Sequence, residues 1–120
     1  MSEPKPNYDA IIRSCYEAYL RDDRSLIEPH LADDFTFTSP YDDAIDLATY
    51  WERCWPNAHL IDHHELERIF IVGNEAFVQY CVTTTRGAVF RNVELFRFSG
   101  GQVIEVQVYF GRTEQQPNDA

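Results

Sequence analysis

Basic residues are scarce in this chain: ten Lys and Arg stand against twenty Asp and Glu in 120 residues, a formal charge of −10. Neutralising phosphate groups takes clustered Lys and Arg, and these ten are scattered, which argues against nucleic acid and anionic membrane surfaces as partners. Long apolar runs are also missing. Nothing approaches the roughly 20 residues that cross a bilayer, and the start Met1-Ser2-Glu3-Pro4-Lys5-Pro6 lacks the apolar stretch of a secretory leader. The expected location is the cytoplasm. Cysteine is limited to Cys15, Cys54 and Cys81, an odd number without a Cys-x-x-Cys pair, so neither a disulfide framework nor a zinc site is indicated. They read as small, buried apolar residues. With no Gly-rich phosphate loop, nucleophile elbow or Cys/His pair, nucleotide cofactors and covalent catalysis are not expected. The chain is read as needing no cofactor.

What is present suits one compact domain. A hydrophobic fraction of 44% and an aromatic fraction of 14% fill a single core and leave rings to line a cavity. No repeat or Gly/Ser linker divides residues 1–120, and the ordered part is expected over about 7–112, with a loose polar tail from Thr113. Asn7 can cap a first helix in which Ile11, Ile12, Cys15, Tyr16, Tyr19 and Leu20 recur every three to four residues as one apolar stripe. Ser25-Leu26-Ile27-Glu28 matches a capping box and predicts a short second helix, limited by Pro29. Alternation in Phe35-Thr36-Phe37-Thr38 predicts a strand with both rings on one side. Ser39 to Asp43 reads as a loop. Asp46 can cap a third helix carrying Leu47, Tyr50, Trp51 and Cys54, ended by Pro56.

From about residue 60 the pattern turns to β. One run closes on Ile69-Phe70-Ile71-Val72 before the turn Gly73-Asn74, a second spans Ala76 to Thr85, and Phe90 to Ser99 joins Gln102 to Phe110 through Gly100-Gly101. Helices first and strands afterwards predict an α+β fold: three N-terminal helices packed on one face of a curved antiparallel sheet. The other face is then wet or paired. Val93, Leu95 and Val103 among Arg91, Arg97, Glu105 and Gln107 suit a subunit contact, so a homodimer through that outer face is expected.

The stretch from Leu31 to Pro40 after two helices, and that from Val93 to Gly111, resemble the NTF2-like superfamily, and within it the SnoaL-like and ketosteroid isomerase-like proteins. The likeness runs from about Tyr8 to Arg112 and implies the NTF2-like, or cystatin-like, cone. That superfamily includes isomerases, cyclases, dehydratases, epoxide hydrolases and members that only bind. In ketosteroid isomerases a carboxylate near the end of the first strand takes a proton, while a helix Tyr and a protonated carboxylic acid hold the oxyanion. The resemblance places Tyr16 on the Tyr position and Glu94 on the neutral-acid position, and it puts Ser39 where the base belongs. A serine hydroxyl without a partner base cannot take a proton from carbon at a useful rate, so steroid isomerisation by that route is not expected. Asp42 or Asp43, three or four residues on, are the candidates to replace it.

Glu94 is the most informative residue. Alternation groups it with Asn92, Phe96 and Phe98, so the carboxyl faces inward if the phenylalanines do, where it must be neutral, hydrogen-bonded or paired. A structural partner, Arg86 or a tyrosine, is the competing explanation. Tyr50, Trp51, Trp55, Tyr80, Phe37 and Phe96 are candidate pocket walls, although aromatic stripes at helical spacing also fill cores. His59, His63 and His64 with Asp62 and Glu65 invite a metal, but in an extended segment His63 and His64 face opposite ways and no second cluster has ligand spacing. No metal is expected. His63 or His64 remains a candidate contact at the cone mouth.

The functional expectation is a pocket for a small apolar molecule, carbonyl-bearing, steroid-like or polyketide-like. Acid/base isomerase, cyclase, hydrolase or dehydratase chemistry there would use Glu94, Tyr16 and Asp42. The alternatives are a non-catalytic ligand-binding module and a dimeric protein-interaction module working through the outer sheet face.

Overall fold

The computed structural model describes residues 6–111; residues 1–5 and 112–120, including the tail expected from Thr113, lie outside them. Helix α1 spans Tyr8–Arg21 and starts where Asn7 accepts a hydrogen bond from the Ala10 amide at 3.0 Å. It ends at Asp22, which adopts a left-handed conformation with φ 51°. Two single turns of 3-10 helix, Arg24–Leu26 and Glu28–His30, replace the expected second helix. The capping box does not form. Asp23 caps the Ser25 amide instead, and Glu28 pairs with Arg24.

Strand β1 (Leu31–Ser39) begins four residues before the Phe-Thr alternation, and the expected loop after it becomes part of a short strand β2 (Asp42–Asp46). Asp46 then caps α2 (Leu47–Arg53) by accepting from the Thr49 amide at 2.9 Å. Pro56 does not stop the chain's helical path; it opens a 3-10 segment, Trp55–Leu60, where its missing N–H is harmless. Strands β3 (Ile61–Val72), β4 (Glu75–Thr84), β5 (Val89–Ser99) and β6 (Gln102–Phe110) follow as a meander. The β5–β6 turn needs positive φ at both central positions, and Gly100 and Gly101 supply φ 59° and 84°.

The six strands form one sheet in the order β2-β1-β6-β5-β4-β3. The fold is thus α+β, with the expected curved, mainly antiparallel sheet, but two expectations are corrected. The helical layer is two α-helices and short 3-10 turns, and β1 runs parallel to β6, because the helical connection returns the last strand beside the first. Helix α1 packs on β3 and α2 on β1, both over the inner face. Ile12, Phe35, Val78, Phe98 and Val103 are fully buried there, each worth roughly 1.5–3 kcal/mol relative to an exposed side chain. Tyr8 stacks on Phe98 with ring centres 4.0 Å apart and closes this solid end.

Bulges decide which side chains share a face. Arg97 pairs with Glu105 and Phe98 with Val103, leaving Ile104 as the extra residue of β6. The inserted residue reverses the alternation, so Val103 joins the core rather than the outer face expected for it. The remaining outer-face residues stand as a sheet surface on which Phe70, Phe77 and Tyr109 are exposed and Val93 and Leu95 half-buried. Cys15 is buried, but Cys54 and Cys81 are only half-buried, Cys81 because its position in β4 is an outward one.

Candidate functional site

Beyond the solid end the helices and sheet diverge around a cavity of about 430 Å³. Its walls are mostly apolar, from Phe35, Phe37, Phe96, Val82, Val106 and Phe110, with polar groups confined to a few places. A volume and lining of this kind are typical of small-molecule sites.

The first polar group is built on β4 and β5. Glu94 pairs with Val108 on one side and Val78 on the other, and points inward. Tyr16, from the middle of α1, donates its hydroxyl to Glu94 Oε1 at 2.9 Å. Tyr80 also hydrogen-bonds the carboxyl, and its own oxygen accepts from Asn92 Nδ2 at 3.3 Å. The Asn92 amide is oriented in turn by the Gly111 amide, which donates to Oδ1 at 3.1 Å. That contact depends on a bare glycine, since an added Cβ would lie 1.8 Å from the Arg91 carbonyl oxygen. Of the two partners considered for Glu94, Arg86 or a tyrosine, the tyrosine is the one present.

Glu94 keeps some accessible surface, but that surface belongs to the cavity wall, and protein surrounds the carboxyl closely enough for desolvation to dominate. Burial raises its pKa, opposed by the Tyr80 and Tyr16 hydrogen bonds that favour the anion. Tyr16 and Tyr80 are themselves pushed well above the ordinary phenol value, by burial first and by the nearby Glu94 charge second, so both stay neutral donors. A protonated Glu94 accepting from two phenols has its own O–H left to offer the cavity.

The second polar group stands at the end of β1. Ser39 and Asp42 both line the cavity, and Ser39 Oγ donates to Asp42 Oδ2 at 3.2 Å. Asp42 Oδ1 lies 2.7 Å from Arg53 Nη2 of α2, yet no N–H is aimed at it, and it is buried without a hydrogen bond. The side chain of Asp42 is 9% exposed, that of Arg53 55%. The two groups line one cavity from different strands of the sheet: Ser39 on β1 is two strands from Glu94 on β5, and Asp42 on β2 is three. Those spacings put roughly 10 and 15 Å between the backbones. A third polar feature is the contact between the Tyr19 and Tyr50 hydroxyls, which ties α1 to α2 in the cavity roof.

Of the ten residues singled out from sequence, Glu94, Tyr16, Asp42, Tyr50, Tyr80, Phe37 and Phe96 line this one cavity, and three do not. Trp51 and Trp55 lie behind the wall. Trp55 packs on Tyr19 at 4.8 Å and Trp51 on Tyr50 at 5.2 Å, with the Arg24 guanidinium 3.9 Å above the Trp51 ring. His63 is exposed on the outer side of β3; its neighbour His64 is the histidine on the cavity. The reason is a bulge at Glu67, between the pairs Leu66–Tyr80 and Arg68–Gln79, which inverts the facing of the residues from Leu66 back to His63. His64 Nε2 donates to the Tyr16 backbone carbonyl at 2.7 Å, and its pKa is lowered by burial first and the neighbouring His63 second. Asn92 and Tyr19 were missed as site residues. The alternation that selects Glu94 also selects Asn92, and the stripe that carries Tyr16 carries Tyr19, so both signals were present. Among the described residues no group of three or more His, Cys, Asp or Glu side chains is arranged to hold a metal ion.

The SnoaL-like domain family model matches residues 12–106. The chain belongs to this family. Solved structures agree on the fold. A Kribbella flavida protein superposes with a TM-score of 0.77 at 14% identity, covering 86% of this chain and 85% of its own. IdmH from Streptomyces antibioticus, a candidate polyketide cyclase, gives 0.70 at 18% identity over 85% and 90%. AclR from Streptomyces galilaeus, a candidate hydroxylase, gives 0.72 at 22% identity over 85% and 73%. No curated protein sequence matches significantly. As a SnoaL-like domain the chain has the cone fold, and no helix among its described residues is long and apolar enough to cross a membrane.

Proposed function

We propose that this SnoaL-like domain binds a small, mainly apolar molecule whose carbonyl or hydroxyl oxygen meets Glu94 and Tyr16. The observation that carries the reading is the 2.9 Å Tyr16–Glu94 hydrogen bond inside a mostly apolar cavity. A polar pair in such a place is costly unless satisfied, and a ligand oxygen takes up the donor the pair leaves over. The names of the relatives IdmH and AclR fit a cyclic, oxygen-bearing ligand. Calorimetric titration with the bicyclic ketone 2-tetralone tests it: Glu94→Ala is expected to weaken binding about tenfold, the loss of one good hydrogen bond. Equal affinity in both proteins overturns the oxygen contact.

Acid/base turnover is a second reading, favoured by Asp42 lining the same cavity as Glu94. In it the Asp42 carboxylate takes a proton from the carbon beside the ligand carbonyl, the electron pair moves to the carbonyl oxygen, and the Glu94 and Tyr16 donors hold the resulting enolate. Protonation at carbon reverses or completes the reaction without a cofactor. Hydrogen–deuterium exchange at that carbon of 2-tetralone, followed by NMR, is expected to accelerate with the protein and to fall to background with Asp42→Asn. Background exchange in the unaltered protein leaves binding alone.

The outer sheet face is proposed as a homodimer contact. Phe70, Phe77 and Tyr109 are exposed there, and Arg68, Arg91 and Arg97 offset its acidic residues, so a chain of net charge −10 meets its copy with least repulsion on this side. Sedimentation should show a dimer that Phe77→Glu converts to monomer.

A further inference from the structure

Among the described residues the cavity carries two carboxyl groups, Glu94 and Asp42, and no lysine or arginine lines it. Of the two, Asp42 has the unmet bonding capacity. Its side chain is about nine-tenths buried, Ser39 occupies only Oδ2, and Oδ1 accepts no hydrogen bond although it is buried. The Arg53 guanidinium supplies opposite charge at 2.7 Å without directing an N–H at that oxygen. That oxygen is covered and touches Arg53, so a ligand donor reaches it by taking the place of the guanidinium, and a cationic donor that aligns an N–H there is favoured. Arg53 is more than half exposed, so water stabilises it when it turns away, and its hold on Asp42 is correspondingly weak.

The surroundings of Asp42 suit such a cation. Tyr41 and Phe110 also line the cavity, their rings in an edge-on contact with centres 5.9 Å apart, and Phe37 stands on the same strand as Ser39. Aromatic faces beside a carboxylate attract a desolvated ammonium. A ligand carboxylate, in contrast, meets two acidic groups, no lysine or arginine among the described residues of the wall, and a chain of net charge −10.

We infer that the ligand carries a basic nitrogen at the end that reaches Asp42, so that the cavity selects an apolar amine over the matching neutral compound and excludes the matching carboxylate. The inference rests on the cavity being the ligand site proposed above, but not on the Glu94 contact.

A matched series on one bicyclic frame tests it: 2-aminotetralin, 2-tetralone and tetralin-2-carboxylate, titrated calorimetrically into the full chain at neutral pH. The amine is expected to bind about tenfold tighter than the ketone, as a charge-assisted hydrogen bond does over a neutral one, with the carboxylate weakest. Asp42→Asn should erase the amine's advantage, and Arg53→Gln, which removes the competing cation, should enlarge it. Equal affinities for amine and ketone in the unaltered protein overturn the inference, as does an amine preference that survives Asp42→Asn. Binding of the amine without the ketone upholds it while removing the Glu94 reading; binding of the ketone without the amine does the reverse, and binding of neither removes both.

Discussion

Two carboxyl groups line the same cavity from different strands, Glu94 from β5 and Asp42 from β2, and their surroundings treat them in opposite ways. Glu94 sits among phenols and an amide, where every partner is neutral and desolvation is the leading influence, so its charge is suppressed. Asp42 sits beside a guanidinium that reaches solvent, in an ion pair. The difference teaches that neighbours, not residue type, decide whether burial or an opposite charge is the leading influence on a cavity carboxyl. Substitutions at each end should therefore shift stability in opposite directions.

The largest effect is expected from Glu94→Gln. The side chain keeps its shape, still accepts from Tyr16 and Tyr80, and loses an ionisable group that burial disfavours. A carboxyl whose folded pKa is raised stabilises the folded state fully below its unfolded value, near 4.5, and that contribution is lost as pH rises through the folded pKa. Glu94→Gln should accordingly be more stable than the unaltered protein at pH 7.5, by about 1–3 kcal/mol, and no more stable at pH 4. Thermal melts across that range decide it. A destabilised Glu94→Gln at pH 7.5 would mean that the carboxylate is held by its tyrosines as an anion.

Tyr16→Phe comes next. It deletes one donor to Glu94 while leaving the ring contacts with Tyr80 and His64, at 4.9 and 5.1 Å, in place. A loss of about 1 kcal/mol is expected, the net worth of one hydrogen bond. In the Glu94→Gln background the loss should be of about the same size, because the amide oxygen that replaces Oε1 still accepts from Tyr16. A double-mutant cycle in denaturant measures the coupling.

Asp42→Asn should be smaller and of opposite sign to Glu94→Gln. The amide loses the pairing with Arg53, which is screened by solvent on the arginine side, and keeps an oxygen for Ser39, so about 0.5 kcal/mol is expected. Added salt should narrow the difference between the variant and the unaltered protein, while the Glu94→Gln difference stays unchanged. Chemical denaturation in urea at two salt concentrations checks both.

How much of this comparison the sequence discloses depends on what lies between a residue and its strand partner. The Glu94 end is legible because Asn92, Glu94, Phe96 and Phe98 alternate without interruption, and because helical spacing alone brings Tyr16 to the inner side of α1. The Asp42 end is not. Its placement depends on β2 folding back on β1 through a register shift after Phe37 and on Ala44 taking a positive φ of 50°, a conformation that sequence patterning does not announce for alanine. The same holds where single inserted residues govern facing. Without the bulge at Glu67 the alternation counted back from Phe70 points His63 inward and His64 outward, and the bulge at Ile104 likewise carries Val103 into the core. The second helix failed for a local reason: Asp23 is the stronger acceptor for the Ser25 amide, and once it caps there Ser25 spends its hydroxyl on the same carboxylate. The parallel pairing of β1 with β6 joins segments some seventy residues apart, beyond the reach of any local pattern.

His64 gives the smallest effect and ties α1 to β3 of the sheet. Its Nε2–H reaches the Tyr16 carbonyl, leaving Nδ1 as a bare lone pair, buried and without a donor. Protonation would place a second N–H where nothing accepts it, and His63 adds like charge while Glu17 alone opposes; the pKa is therefore lowered. A histidine shifted downward contributes stability above its unfolded value of 6.5, and that contribution is lost as pH falls through the folded pKa. His64→Gln can still donate to the carbonyl but cannot charge, so it should match the unaltered protein above pH 7 and exceed it by a few tenths of a kcal/mol near pH 5.5. Since Tyr16 is the residue held, ligand affinity in the unaltered protein should weaken over the same acid interval and stay level in His64→Gln. Parallel titrations with 2-tetralone at pH 7.5 and 5.5 separate this from the Glu94 ionisation, which moves affinity in the opposite direction with pH.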